Sequence, residues 1–302
     1  MKTQPTFYRQ RLLLSLIHAF KRPLSKLDLQ KLLFLFVEEV QTSKKKAYEF
    51  VPYHYGCYSF QANADLRTLH NYAFIQINDE ENLINGLESE GNSLSGLKEK
   101  DKHAILSFAS KYEDLSGNDL IAYVYKNYPY YTLHSKIAHK FLEKRYQKEP
   151  KLIDDGVMLF TIGYEGITFE HYVNLLINND IKVLCDVRKN PFSMKFGFSK
   201  HMLKSTLEKI GIRYLHLPEL GIESENRQEL NDISDYQMLF ADYQRETIPS
   251  DVAQNALKYI NDIASNEKIA LTCFEKDIEY CHRGVIAENL KKMFGLGYNN
   301  IS

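Results

Sequence analysis

Residues 157–187 read VMLFTIGYEGITFEHYVNLLINNDIKVLCDV, and this stretch decides the fold class. An apolar run ends in glycine at 163, a helical pattern follows at 170–178, and a second apolar run occupies 182–187. Short apolar runs separated by a helical pattern indicate a βαβ unit with parallel strands. Further strands are expected at 213–217 and 269–274, and helices at 199–210, 236–245, 252–265 and 281–293. The C-terminal half is therefore predicted to be α/β, with a Rossmann-like, mostly parallel sheet flanked by helices.

Residues 1–146 show mainly helical patterns and are predicted to form a separate domain. Apolar residues recur at the spacing of one helix face over 8–20 and 25–40, and Ser25 stands where an N-cap belongs. A helix at 63–72 is followed by two short β segments, at 74–77 and 83–84, which predict a hairpin or wing. Three more helices are expected, at 102–112, 117–126 and 134–146. Two helices, a turn and a wing indicate a winged-helix-like domain.

The segment between these two regions has the composition of a domain linker. Residues 147–156, QKEPKLIDDG, are charged and contain proline and glycine. The predicted organisation is therefore an N-terminal domain at 1–146, a linker at 147–156 and an α/β domain at 157–302.

Composition and charge limit the possible partners. The chain has 302 residues and a net charge of −1, and neither half has the strongly basic balance of an obvious nucleic-acid binder. No apolar run reaches the ~20 residues that a membrane span needs, and the N-terminus lacks the pattern of a signal peptide. We therefore expect a cytoplasmic protein without a membrane partner. The four cysteines form no C-x-x-C pair and match no structural zinc spacing, so we expect neither a metal nor another cofactor.

Polar side chains follow the predicted strands at their carboxyl ends, the edge at which open α/β sheets bind ligands. The last of them, Cys281-His282-Arg283, begins a predicted helix, whose N-terminus favours an anion. The candidate catalytic residues are Asp186, Glu275, Tyr164 and Cys281. The candidate substrate-binding residues are Thr161, Gly163, Arg188, His216, Glu219, Cys273, His282 and Arg283.

Several of these residues also have a purely structural interpretation. Asp186 and Arg188 fit an ion pair at a strand end as well as they fit a binding site. His216 alternates with apolar neighbours, as a core histidine does, and Gly163 fits a turn. Arg283 carries the strongest functional signal, because arginine recognises phosphate or carboxylate with two hydrogen bonds.

The C-terminal motifs resemble the family called domain of unknown function 488. The resemblance spans about 157–297 and rests on TIGY at 161–164, DVR at 186–188 with Pro191, Phe198, GIRY at 211–214, LPELG at 217–221, and CFEKD at 273–277 leading to CHR at 281–283. It implies a fold and a set of site residues, but no reaction. Tyr164 stands where many members have histidine, so an acid–base role shared by the whole family at that position is in doubt.

The N-terminal half has a separate resemblance. DLQKLLF at 28–34 and YHYGCY at 53–58 are similar to the Panacea family of antitoxin-associated domains, which has a related helix and a later YGP turn. Cys57 takes the place of the proline, and an amphipathic helix unrelated to that family remains open. The resemblance implies a DNA or protein partner and a role in phage defence or toxin–antitoxin systems.

Three functions remain open. The first is an enzyme acting on a nucleotide or nucleic acid by a hydrolytic or N-glycosidase-like reaction, in which Arg188 and Arg283 bind phosphate and Asp186 or Glu275 acts as base or stabilises a developing cation. The second is a non-catalytic ligand sensor or antitoxin-like protein that binds DNA or protein through its N-terminal domain. The third is a cysteine-based sulfurtransferase or phosphatase-like enzyme, although the chain lacks a C-x5-R loop at its cysteines.

Overall fold

A computed structural model describes residues 4–41, 46–87, 96–144, 146, 156–223 and 232–301. The chain divides into two compact units, Met1–Glu149 and Pro150–Ser302, and each has its own hydrophobic core. Except for Gly156, the predicted linker at 147–156 lies outside the described residues. Within the described residues, no helix combines the length and the apolar character needed to cross a bilayer.

The N-terminal unit is mainly helical. Its elements in chain order are α1 (Tyr8–Ala19), β1 (Leu24–Ser25), α2 (Lys26–Glu39), β2 (Val51–Tyr53), β3 (Gly56–Tyr58), α3 (Phe60–Asn71), β4 (Ile75–Asn78), β5 (Leu83–Gly86), α4 (Glu99–Lys111) and α5 (Gly117–Asn127). Strand β5 pairs with β4 and with β1, in both cases antiparallel. This order, with the β4–β5 hairpin directly after α3, is winged-helix-like, with the β2–β3 hairpin inserted between α2 and α3.

Two polar side chains of the LQKLL motif in α2 form hydrogen bonds to the backbone of the β2–β3 hairpin and of the residue that follows it. Gln30 donates to the backbone carbonyl of Ser59 at 3.2 Å and accepts from the backbone N–H of Ser59 at 2.9 Å. The buried ammonium of Lys31 donates to the carbonyl of Tyr55 at 2.6 Å. Gly56 has a φ of +100°, and a Cβ there would lie 2.7 Å from the Tyr125 ring. The two motifs therefore hold the β2–β3 hairpin against α2.

The prediction of a helix at 134–146 is wrong. The described part of this segment contains only a 3-10 turn at Ala138–Lys140. The backbone N–H of Lys136 donates to the carbonyl of His54 at 2.8 Å, and the Ser135 hydroxyl shares a 2.8 Å hydrogen bond with the Tyr125 hydroxyl. These contacts to other elements replace the local hydrogen bonds that a helix would require.

The Tyr125 hydroxyl gives the N-terminal unit a predictable dependence on pH. Burial raises the pKa of Tyr125 to about 12, whereas a tyrosine of the unfolded chain ionises near pH ~10. The stabilisation from the neutral phenol is therefore complete below pH ~10 and is lost as the pH rises toward the folded-state value. We expect Tyr125→Phe to lower the free energy of unfolding by about 1 kcal/mol at neutral pH. The difference in unfolding free energy between wild type and Tyr125→Phe, measured by urea unfolding, should be smaller at about pH 11 than at about pH 8. A difference that does not change with pH would contradict the raised pKa of Tyr125.

The C-terminal unit is a three-layer α/β fold. Its elements are β6 (Leu159–Gly163), α6 (Phe169–Asn178), β7 (Val183–Asp186), α7 (Lys200–Lys209), β8 (Arg213–His216), α8 (Ile233–Asp242), α9 (Asp251–Ala264), β9 (Ile269–Cys273), α10 (His282–Phe294) and β10 (Tyr298–Ile301). The strands lie in the order β10-β6-β9-β7-β8, and all four pairings are parallel. The predicted parallel sheet is confirmed, and β10 is an additional strand that the apolar pattern does not indicate.

The chain reverses its direction across this sheet after β8. It runs from β6 past β9 to β7 and β8, and then returns to β9 and continues to β10. Right-handed crossovers place the helices of the two directions on opposite faces. Accordingly, Tyr172 of α6 donates to Thr272 at 2.8 Å on one face, while Leu271 packs in a cluster with Leu257 of α9 and Ile286 of α10 on the other. The carboxyl ends of β6, β9 and β7 therefore form a topological switch point, where doubly wound folds bind ligands.

Candidate functional site

A cavity of about 340 Å³ opens at the carboxyl ends of β6, β7 and β9. Its lining residues are Tyr164, Arg188, Lys189, Asn190, Phe192, Ser193, Met194, Ile222, Cys273, Phe274 and Glu275. Four of these were predicted from the strand ends: Tyr164, Arg188, Cys273 and Glu275. A concave pocket with a few convergent polar groups at this edge is the preferred ligand site of such a fold.

Arg188 forms one wall of the cavity and is held by a buried network. Its Nε and Nη2 donate to the two carboxylate oxygens of Asp186 at 2.8 and 2.5 Å. Its Nη1 donates to the Tyr164 hydroxyl and to the carbonyl of Phe198, both at 2.9 Å. Asp186 is completely buried and also accepts a 2.5 Å hydrogen bond from Tyr214. The Asp186 carboxylate therefore lies behind Arg188 and fixes the plane of its guanidinium group.

The other members of this network have defined protonation states. Burial, and then the charge of Asp186, raises the pKa of Tyr214 above its usual value, so its hydroxyl stays protonated and donates. His216 lies 2.9 Å through Nε2 from the carbonyl of Arg188. Because a carbonyl can only accept, Nε2 carries the proton and Nδ1 accepts from Lys200 at 3.0 Å. His216 thus fixes the backbone of Arg188.

The loop after β9 is fastened to the end of β6 through its backbone. The N–H groups of Tyr164 and Glu165 both donate to the carbonyl of Phe274, at 3.1 and 2.9 Å. A Cβ at Gly163 would lie 1.9 Å from the carbonyl oxygen of Glu275. Only glycine allows the two segments to approach this closely, and the close approach sets the position of Glu275 in the cavity.

Arg283 secures the same loop from the helix that follows it. Its guanidinium is completely buried and donates to the carbonyls of Glu275 and Lys276 at 2.6 and 2.8 Å. The CHR motif at the start of α10 thus reaches back to the loop that carries Glu275. These contacts are those of a positioning residue, and the phosphate-binding role of Arg283 stays a prediction.

Two cysteines and a histidine meet beneath the cavity. Cys273 Sγ and Cys281 Sγ lie 3.8 and 3.9 Å from His282 Nδ1, and His282 Nε2 lies 2.9 Å from the carbonyl of Val187. The three donor atoms are within 4.8 Å of one another, and all three residues are buried. The structure therefore brings together a set of potential metal ligands that the spacing of the cysteines did not indicate.

The environment of Cys281 bears on the cysteine-based hypothesis. Burial, and then contact with Cys273, raises the pKa of the Cys281 thiol well above its usual value. Reactive cysteines have a lowered pKa and are accessible. This arrangement disfavours a sulfurtransferase or phosphatase-like role for Cys281 in a metal-free site.

Residues 168–290 match the model of the family described as Domain of unknown function DUF488. The match supports the resemblance inferred from the C-terminal motifs. It includes the ends of β7 and β9, the loop that carries Glu275 and most of α10. No curated protein and no solved structure matches the chain. The resemblance of the N-terminal unit to the Panacea family stays a prediction.

Two predicted site residues lie apart from the cavity. The Thr161 hydroxyl donates to Asn300 at 2.7 Å and so connects β6 to β10 within the sheet. Glu219 lies in the 3-10 turn Pro218–Leu220 and is not among the residues that line the cavity. For both, a substrate-binding role stays a prediction.

The rim of the cavity contains side chains that sequence reasoning missed. Phe192 and Met194 are 70% and 89% exposed, and Phe274 is 43% exposed. Exposed apolar side chains at a cavity mouth are a common feature of binding surfaces. The available signal was the recurrence of large apolar residues in the loop after DVR, whose sequence at 189–198 is KNPFSMKFGF.

Proposed function

We propose that the C-terminal unit is an enzyme that acts on a nucleotide or nucleic acid in a hydrolytic or N-glycosidase-like reaction. The observation that carries the proposal is the composition of the cavity at the switch point. A carboxyl group, Glu275, lies beside a fixed guanidinium, Arg188, under a rim of exposed aromatic side chains. This combination suits a substrate that has a flat base, a sugar and a phosphate.

The rim supplies the expected contacts to a base and the wall supplies those to a phosphate. Stacking of a base on Phe192 or Phe274 contributes about 1–3 kcal/mol per base. Four of the five N–H groups of Arg188 donate to Asp186, Tyr164 and Phe198, and its side chain also interacts with the Tyr214 hydroxyl. Arg188 therefore offers a phosphate mainly its positive charge at the cavity wall. Its guanidinium is already oriented, so little side-chain entropy is lost when a phosphate binds.

Glu275 is the group best placed to act on the bond that breaks. One carboxylate oxygen, Oε2, is buried, and the residue lines the cavity. A carboxyl group in that position can activate a water molecule or stabilise a developing sugar cation. Asp186 and Tyr164 act in this proposal as positioning residues, because their contacts are made with Arg188.

The N-terminal unit is proposed to deliver the nucleic acid or to bind a protein partner. In winged-helix proteins a recognition helix enters the major groove, and α3 with the following β4–β5 hairpin occupies the corresponding place. The end of α3 and the next residue expose Arg67, His70, Asn71 and Tyr72. A sensor or antitoxin-like protein would bind ligands at the cavity and at the α3 surface without catalysing a reaction. Measuring product formation separates that function from an enzyme.

Glu275→Gln is expected to reduce product formation by about 10²–10⁴-fold while leaving substrate binding within a few-fold of wild type. Single- and double-stranded DNA and RNA and free nucleoside monophosphates are incubated with the full chain, and released bases or shortened products are separated by chromatography. Glu279→Gln is the matched control, since Glu279 is exposed in the same loop and does not line this cavity. Binding without any product would favour the sensor, and product formation insensitive to Glu275→Gln would refute the role of Glu275.

A further inference from the structure

We propose that Cys273, Cys281 and His282 bind one zinc ion. The three residues come from two elements, since Cys273 ends β9 and His282 begins α10, with Cys281 as the residue before it. All three are at most 1% exposed. The proposal concerns metal binding itself and does not depend on the reaction proposed above.

The histidine already has the tautomer that a metal ligand needs. His282 Nε2 lies 2.9 Å from the carbonyl oxygen of Val187, and a carbonyl oxygen can only accept, so Nε2 is protonated. The lone pair of the ring is therefore on Nδ1, the nitrogen that faces the two sulfurs. A hydrogen bond from the second ring nitrogen to a backbone carbonyl is the usual way in which proteins orient a ligating histidine.

The two distances from sulfur to nitrogen agree with a shared ion. Zinc binds sulfur at about 2.3 Å and nitrogen at about 2.0–2.1 Å. A sulfur and a nitrogen on the same ion are then about 3.5 Å apart at the tetrahedral angle and about 3.8 Å apart at an angle near 120°. The observed Sγ to Nδ1 distances are 3.8 and 3.9 Å. The two sulfurs are also nearly equidistant from Nδ1. A simple thiol-to-imidazole hydrogen bond would need only one of them close to that nitrogen, whereas a shared metal ion needs both.

Ligand chemistry and charge favour zinc over other abundant cations. Thiolate and imidazole select soft and borderline metals, whereas Mg²⁺ and Ca²⁺ prefer oxygen. Two thiolates and a neutral imidazole balance the charge of Zn²⁺, so the occupied site is neutral, as a buried site should be. Three protein ligands with a fourth position for water are typical of catalytic zinc sites. Cys273 also lines the cavity that contains Glu275.

The experiment measures metal content and coordination in the full chain. Reduced protein is stripped with a chelator, dialysed against zinc chloride and then against metal-free buffer, and its zinc is quantified by mass spectrometry. We expect about one zinc per chain in wild type, and a loss of at least about tenfold in affinity in Cys273→Ser, Cys281→Ser and His282→Gln. Cys185→Ser is the matched control, because Cys185 is a buried cysteine of the same sheet outside the cluster, and it should retain the zinc.

A second measurement keeps the proposal testable if a ligand variant does not fold. Cobalt(II) added to stripped wild-type protein should produce a thiolate-to-cobalt charge-transfer band in the near ultraviolet and strong visible bands of low coordination number. Wild-type protein that retains no zinc and shows no charge-transfer band with cobalt would overturn the proposal. So would a Cys273–Cys281 disulfide that persists, without metal, in protein prepared under reducing conditions.

Discussion

Asp186→Ala is expected to destabilise the C-terminal unit by about 3–5 kcal/mol, the usual cost of removing one partner of a buried ion pair. The substitution leaves the Arg188 guanidinium, 6% exposed, without its carboxylate, and the Tyr214 hydroxyl without its acceptor. Native-state hydrogen exchange of peptides from α9 and β9 measures the effect in this unit alone. The exchange of these protected amides should become faster by at least about two orders of magnitude, in proportion to the lost free energy.

The matched control breaks an exposed ion pair at the amino end of the same sheet. Arg213 pairs with Glu267, and both side chains are more than a third exposed. Glu267→Ala should therefore change the free energy of unfolding by less than about 1 kcal/mol. Equal effects of the two substitutions would show that Arg188 finds another partner when Asp186 is removed, and the described network would then not control the cavity wall.

Gly163→Ala is expected to disrupt the site through a direct clash with the backbone of the loop that carries Glu275. The added Cβ would lie 1.9 Å from the carbonyl oxygen of Glu275 and 2.7 Å from its carbonyl carbon. Both are backbone atoms, so the loop itself must move, at a cost of about 1–3 kcal/mol or more. A displacement of the catalytic group by about 1 Å is enough to reduce activity by about 10²-fold. Product formation and ligand affinity of the variant measure the change.

Gly166→Ala separates this steric effect from backbone conformation. Gly166 lies in the loop that follows Gly163, with a φ of +76°, and a Cβ there would meet no atom within 4 Å. This substitution should cost about 1 kcal/mol, because alanine disfavours positive φ, and should leave the cavity intact. If Gly163→Ala and Gly166→Ala impaired ligand binding equally, the close approach of β6 to the Glu275 loop would not be the feature that matters.

The fold was predictable from the sequence where apolar strands alternate with amphipathic helices. It was not predictable where a strand is identified only by its hydrogen bonds to a neighbouring strand. Strands β6, β7 and β9 are largely apolar and bounded by turns, so their sequences indicate them directly. Strand β8 reads RYLH and is indicated by its place between the predicted helices. Strand β10 reads YNNI and is recognisable only through its parallel pairing with β6. The segment at 134–146 has a helical pattern, but contacts of Ser135 and Lys136 with other elements prevent that helix.

The site was predictable to the extent that it follows the ends of strands. That rule brought Tyr164, Arg188, Cys273 and Glu275 to one cavity. It could not show that Arg283 is buried, because the exposure of a helix N-terminus depends on how the preceding loop folds over it. Nor could it detect the sulfur–imidazole cluster, whose Cys-x7-Cys-His spacing matches no local zinc motif and forms only when β9 and α10 pack together.

The most direct test of the account is hydrogen–deuterium exchange of the full chain with and without nucleoside monophosphates and short oligonucleotides. The central claim is that the cavity at the ends of β6, β7 and β9 is the binding site for a base and a phosphate. It predicts slower exchange in peptides covering 188–194 and 273–276, and loss of this protection in Phe274→Ala. Protection confined to other parts of the chain, or no protection with any of these ligands, would contradict the claim.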